Sequence, residues 1–298
     1  MSKWARVFSR LLRRRSVLGL AVLLLSAVAA QAQQSRVECS TVASKILTRD
    51  VAYCVILPPS YGVDKAKRYP VVYYLHGLGD NEQSLVNGGG WNVYDDLLRK
   101  KKIGEFIIVT PAGYRSFYIN SHDGRFRYGD FFGTEFIPAI ERKYRVARTR
   151  AQRGLLGISM GGFGALYHAF TQPRKFSVVA THMAALTENL PQAFGGGFEE
   201  QLMSGVFGNP PDAAYYATVS PISLANRRYT ALKGLSIYFD CGDNDDYGFD
   251  GGAVALDAAL KRRNVAHEFH LYPGRHGWRY VMDHFPASLE FLSKALVK

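Results

Sequence analysis

Long apolar runs, cysteines and acidic side chains are all scarce in this sequence. The longest apolar stretch, residues 17–30, has signal-peptide length and is too short to cross a bilayer comfortably. It follows a basic head of Lys3, Arg6, Arg10, Arg13, Arg14 and Arg15 and runs into Ala30-Gln31-Ala32, an A-x-A cleavage pattern. Residues 1–32 are therefore expected to be an export signal, by a Sec or a twin-arginine route. No stable membrane span is expected after its removal, and the mature protein would be periplasmic or secreted. Acidic residues number 25 against 37 basic ones, but six of the basic ones lie in that head, leaving 31 against 25, or +6, on the remainder. These charges are scattered, which argues against nucleic-acid binding. Neither an internal repeat nor a low-complexity linker divides residues 33–298, so one domain with an ample core is expected.

Three cysteines allow at most one intrachain pair. Residues 37–43 and 51–57 read as strands around a turn, and a register that sets Ala43 against Asp50 also sets Cys39 against Cys54. In an oxidising compartment that geometry favours a cross-strand disulfide. Cys241 is left over and expected to be buried.

What the sequence does supply is alternation. Apolar strand-like runs at 69–75, 106–111, 153–156, 176–180, 235–240 and 267–272 are interleaved with helical patterns at 91–102, 130–144, 252–263 and 282–297, with Pro138 expected to kink the second. Strands alternating with helices predict an α/β fold with a mostly parallel sheet covered on both faces. Ligands on such sheets bind beyond the C-terminal strand ends. Residues 186–230 break the rhythm with Gly195-Gly196-Gly197 and several prolines, and are expected to form an irregular lid or binding segment.

Gly157-Ile158-Ser159-Met160-Gly161 reads G-x-S-x-G between an apolar run and a helix rich in small residues. That is the pattern of a nucleophile elbow, in which a sharp strand-to-helix turn pushes the serine out at the top of the sheet. A serine needs a base, and the base needs an orienting acid. In this topology the chain order is Ser, acid, His. His276 follows the last strand between glycines and is free to reach across the strand ends, so it is the expected base. Asp243, Asp245, Asp246 and Asp250 crowd the loop after the 235–240 strand, and loop position does not separate Asp243 from Asp245. Their spacing is not that of an EF-hand, and no metal is expected. The backbone N–H groups of Met160 and of Leu78, in the glycine loop after the 69–75 strand, are the expected oxyanion donors.

Together His76-Gly77-Leu78, Gly157-Ile158-Ser159-Met160-Gly161-Gly162, Gly242-x-x-Asp245 and Pro273-Gly274-x-His276-x-Trp278 resemble the esterase D / feruloyl esterase family of α/β-hydrolases. That family also contains S-formylglutathione hydrolases and the antigen 85 mycolyltransferases. Val55-Ile56-Leu57-Pro58-Pro59-Ser60-Tyr61, Val206-Phe207-Gly208 and Ser220-Pro221 extend the likeness over nearly all of residues 37–297. The resemblance implies an α/β-hydrolase fold, with Ser159 as nucleophile, Asp245 as the acid in preference to its neighbours, and His276 as base. Asp246 is an extra acid that departs from the pattern. The implied function is an exported serine carboxylesterase without cofactor, acting on a small-molecule or carbohydrate ester, feruloyl or acetyl. An acyltransferase of the mycolyltransferase type, moving an acyl group to a sugar, is the alternative. Trp91, Tyr114, Phe117 and Tyr118 lie on or near strand-end loops, where they are candidates to stack on an aromatic acyl group or a sugar.

Overall fold

Val71–Leu75, Ile107–Pro111, Arg153–Ile158 and Val178–His182 are buried at every position, so none of them can face water on either side of a sheet. The computed structural model, which describes residues 34–190 and 205–297, satisfies this by placing all four in the middle of one eight-stranded sheet. The strands are β1 (Arg36–Ser44), β2 (Arg49–Leu57), β3 (Val71–Leu75), β4 (Ile107–Pro111), β5 (Arg153–Ile158), β6 (Val178–His182), β7 (Ser236–Gly242) and β8 (Glu268–Tyr272). Their order is β1-β2-β4-β3-β5-β6-β7-β8; β2 pairs antiparallel with both β1 and β4, and every other neighbouring pair is parallel. This is the α/β-hydrolase fold.

The main helices around the sheet are α1 (Gly90–Arg99), α2 (Ile137–Lys143), α3 (Met160–Thr171), α4 (Ala213–Val219), α5 (Pro221–Leu232), α6 (Phe249–Arg262) and α7 (Trp278–Leu296). α2 ends a longer helical stretch that begins at Tyr128 and passes through a π turn, Phe132–Phe136, just before Pro138. Proline has no N–H to continue the ladder, and the wider turn absorbs the loss. α7 begins four residues earlier than the sequence pattern suggests and holds Pro286 inside it. Within 186–230, residues 191–204 lie outside the described residues. The later part is regular: α4 packs on α5, and α5 packs against α3 and α6. Asp212 caps α4 by accepting from the N–H groups of Ala214 and Tyr215. The expected signal, residues 1–32, also lies outside the described residues.

The β1–β2 register sets Ala43 against Asp50 and Cys39 against Cys54, whose sulfurs are bonded. β1 is an edge strand with only β2 beside it. The bond closes a separation of 15 residues, and loops of this length are worth about 3 kcal/mol in the chain-entropy account. Replacing both Cys39 and Cys54 by Ser should therefore lower unfolding stability by about that amount against the oxidised protein. Denaturant midpoints measured with and without the bond check it, and unchanged midpoints would show that the hairpin contributes nothing to the cooperative unit.

Candidate active site

Ser159 sits between β5 and α3 with φ 54° and ψ −117°, a conformation few residues with a side chain adopt. The crossing is held by contacts that only glycine permits. A Cβ on Gly161 would lie 2.0 Å from the carbonyl oxygen of Leu75 on β3, and one on Gly157 would lie 2.2 Å from that of Gly161. The peptide groups of Ser159 are fully used. Its N–H donates to His182 O (3.0 Å), and its carbonyl accepts from Phe163 N (3.0 Å) and Ala185 N (2.9 Å). Such a strained residue costs of order 1–3 kcal/mol, and three backbone hydrogen bonds at about 1 kcal/mol net each offset it.

The structure brings Ser159, His276 and Asp245 together from three separate strand ends. His276 Nε2 is 3.1 Å from Ser159 Oγ, and its Nδ1 is 2.7 Å from Asp245 Oδ2. The Asp245 side chain is wholly buried, and its other oxygen accepts the N–H groups of Tyr247 (2.9 Å) and Phe249 (3.4 Å). The two loops meet because Gly242 has no side chain: a Cβ there would lie 2.4 Å from Gly274 O. The neighbouring acids are engaged elsewhere. Asp243 accepts from Gly274 N (3.1 Å). Asp246 accepts from His276 N (3.1 Å) and pairs with Arg275, whose hydrogen bond to the carboxylate holds its pKa below the usual range. Asp246 thus grips the backbone of His276 while Asp245 faces its ring. With His276 Nδ1–H given to Asp245, Nε2 is left to accept the serine proton, which is the arrangement nucleophilic acyl transfer requires.

His76 lies in the loop that carries Leu78, and it is buried. Its Nε2 accepts the N–H of Gly113 (2.8 Å), so Nδ1 carries the proton and donates to Gly77 O (2.8 Å). Burial lowers its pKa and keeps this neutral form. The loop passes close to Ser159: a Cβ on Gly77 would be 3.6 Å from the Ser159 Cβ. Leu78 and Met160 both line the cleft around Ser159, about 360 Å³ in volume. Met160 opens α3, where backbone N–H groups have no partner within the helix.

The aromatic candidates divide. Phe117 lines the cleft, and Tyr114 lines an adjoining recess. Two others need correction. Tyr118 is fully buried, and its hydroxyl braces the loop that carries Leu78 by accepting from His76 N (2.8 Å). Trp91 donates its indole N–H to Ser35 Oγ (2.5 Å) and is absent from the cleft wall. Tyr118 packs inward from its loop, whereas Trp91 belongs to α1 and is half-buried. Sequence reading missed Tyr247 and Phe249, which flank the His276 ring at 4.8 and 5.6 Å between centroids, and Met183, which turns into the cleft with φ 45°. Their only signal is adjacency to Asp245 and to the β6 end. His168, on α3, is a core histidine: it donates Nε2–H to Tyr118 O, and burial lowers its pKa to about 4.

A family model described as putative esterase matches residues 44–292. The chain is 33% identical over 129 residues to an endo-1,4-beta-xylanase/feruloyl esterase of Xylanibacter ruminicola, an overlap of 41% of this chain and 18% of that protein. It is 26% identical over 267 residues to an acetyl esterase of Caldicellulosiruptor saccharolyticus, covering 84% of this chain and 96% of that one. A solved structure of a ferulic acid esterase superposes with a TM-score of 0.77 at 28% identity, covering 88% of this chain and 99% of the other. The chain thus spans less than a fifth of one relative and nearly all of another.

The contacts of the two adjacent carboxylates give a sharp expectation. Asp245→Asn should slow covalent capture of Ser159 by an aryl phosphonate by about 10³- to 10⁴-fold, because the imidazole loses its orienting acceptor. Asp246→Asn should slow it less than tenfold, since only a backbone contact and an exposed ion pair change. Capture rates followed by intact mass check this, and a reversed order would exchange the two roles.

Proposed function

Because the chain belongs to the putative esterase family, we propose that it is a serine carboxylesterase. The single observation that carries this reading is the run from Ser159 Oγ to His276 Nε2 (3.1 Å) and from His276 Nδ1 to the buried Asp245 (2.7 Å). Ser159 attacks the ester carbonyl as His276 takes its proton, while Asp245 holds the imidazole and stabilises its charged form. The carbonyl oxygen becomes an oxyanion that the N–H groups of Leu78 and Met160 receive. The C–O bond to the alcohol breaks as His276 returns the proton to the departing oxygen, leaving an acyl-enzyme. Water, deprotonated by the same histidine, then releases the acid and restores Ser159.

The substrate we propose is an acyl ester of a carbohydrate, with feruloyl or acetyl as the acyl group. Support comes from the relatives described as feruloyl, acetyl and ferulic acid esterases. The cleft wall fits such a group: Leu78, Phe117, Met160 and Trp278 offer apolar surface beside Ser159. Export to the periplasm or beyond completes the reading, supported by the basic head, the apolar stretch and the Cys39–Cys54 bond. The segment 186–230 is proposed to border the substrate: Thr187 lines the cleft and Val206 the recess beside it.

Ser159→Ala should reduce turnover of p-nitrophenyl acetate by about 10⁴-fold or more. Retention of the wild-type rate in that variant would end the assignment of Ser159. Acyl transfer to an added sugar that outpaces hydrolysis would replace the esterase reading with the transferase one.

A further inference from the structure

Two recesses meet at Gly79, Asp80 and Arg115. One is the apolar cleft at Ser159. The other, about 660 Å³, continues past Tyr114 and Phe126 to Arg49, and is within the size range of small-ligand sites. We propose that this larger recess is an alcohol-side subsite that takes a sugar ring of the leaving alcohol over the face of Tyr114. The proposal rests on the esterase reading above.

The two walls differ in chemistry. Arg49 lines the recess alone, Asp80 and Arg115 stand where the recess and the cleft join, and beyond them the cleft wall at Leu78, Phe117, Met160 and Trp278 is apolar. An ester that straddles Ser159 therefore has its apolar acyl part on one side and its hydroxylated part on the other. Tyr114 is held with its ring upright by Phe126 and Tyr128, at 6.0 and 6.5 Å and nearly perpendicular. The guanidinium of Arg49 lies over the ring at 5.3 Å, marking its electron-rich face. Arg49 is exposed and long enough to fold aside toward sugar hydroxyls. Tyr114 also holds φ 52°, where glycine or asparagine would sit with less strain. A bulky aromatic kept in that conformation at the mouth of a cavity points to use of its side chain. The loop is tied to the site as well, since Gly113 N donates to His76, in the oxyanion loop.

The test compares a sugar ester with a methyl ester of the same acid. Acetylated xylobiose is paired with methyl acetate, and feruloylated arabinose with methyl ferulate. The ratio of kcat/KM for sugar over methyl ester should favour the sugar ester in the wild type. It should fall about tenfold in Tyr114→Asn, which suits the left-handed backbone, chiefly through KM for the sugar ester. Arg49→Met should lower it in the same direction. An unchanged ratio in both variants, or an equal fall on both esters, overturns the subsite. Failure of the wild type to hydrolyse any of the four esters removes the esterase reading and the subsite with it.

A second inference stands on a different observation. Beneath the elbow, His182 and Asp240 form a fully buried pair, His182 Nδ1 lying 2.9 Å from both carboxylate oxygens. Asp240 also accepts the hydroxyls of Tyr238 (2.8 Å) and Tyr280 (3.0 Å), and His182 Nε2 meets Ser288 Oγ (2.8 Å). The geometry points to this pair as a positioning device for the three reacting side chains. His182 gives its carbonyl to Ser159 N, and Asp240 gives its own to Met183 N. Asp240 lies five residues before Asp245, and Tyr280 and Ser288 belong to α7, which starts two residues after His276. One buried cluster thus joins the segments that carry nucleophile, acid and base.

His182→Gln and Asp240→Asn should each lower kcat ten- to a hundredfold, since misplacement by an ångström is costly, with KM changed less than threefold. The double variant should lose little more than either single one. Tyr280→Phe and Ser288→Ala, which keep the packing, should give smaller losses in the same parameter and carry the test if the first variants do not fold. Assays run well below each variant's thermal midpoint. Wild-type kcat in folded variants, or a double-variant loss equal to the product of the single losses, overturns the role.

Discussion

The site depends on how closely a helix can approach a sheet. α3 crosses the ends of β3 and β5 at a distance that leaves no room for one additional carbon: at Gly161 it would meet the Leu75 carbonyl at 2.0 Å. Withdraw the helix by the width of a methyl group and Ser159 no longer needs its left-handed turn, nor does it stand proud of the strand ends. The strain at Ser159, of order 1–3 kcal/mol, is a sizeable share of a domain stability of about 5–15 kcal/mol. It persists because the backbone around it is hydrogen-bonded at every polar atom the turn exposes, to His182 O, Phe163 N and Ala185 N. Those partners come from β6, α3 and the loop after β6, so the elbow is fixed by the sheet as a whole.

Parallel topology does the rest. β5, β6, β7 and β8 run side by side in the same direction, so the segments after each of them open on one edge. Ser159, Met183, Asp245 and His276 follow those four strands in turn. The sequence separation of 117 between Ser159 and His276 is spanned by the topology, and only the last few ångströms are left to the loops. There a second glycine contact, Gly242 against Gly274, sets the depth at which the acid loop meets the histidine loop.

This division explains what could be read from the sequence. Strand alternation, the elbow, the β1–β2 register and the place of His276 follow from local rules of spacing and turn chemistry. The partner of His276 did not: Asp243 and Asp245 share a loop, and only the exposure of the first and the burial of the second separate them. That difference comes from the approach of Gly274, which no local pattern encodes. The aromatic residues fail in the same way. Tyr114, Phe117 and Tyr118 stand within five residues of each other, and all three have left-handed backbones. One ring faces a recess, one the cleft, and one the interior against His76. Sequence places a side chain on a loop, but which way it points depends on what packs behind it.

The two buried histidines of the strand ends show how packing turns one residue type to different ends. His76 has a neutral ring, fixed by a backbone donor on one nitrogen and a backbone acceptor on the other. Its partners are peptide groups, so it ties the Leu78 loop to the loop that bears Tyr114. His182 has a carboxylate on one side and a hydroxyl on the other. Removing a single member of such a group leaves a buried polar atom without its partner, which costs more than the bond contributes. The floor of the site is therefore harder to alter than its walls. The cleft and the recess beside it are lined in part by exposed side chains, Leu78, Tyr247 and Arg49 among them. Change in acyl or alcohol preference has an open route there, while the geometry of Ser159, His276 and Asp245 stays fixed below.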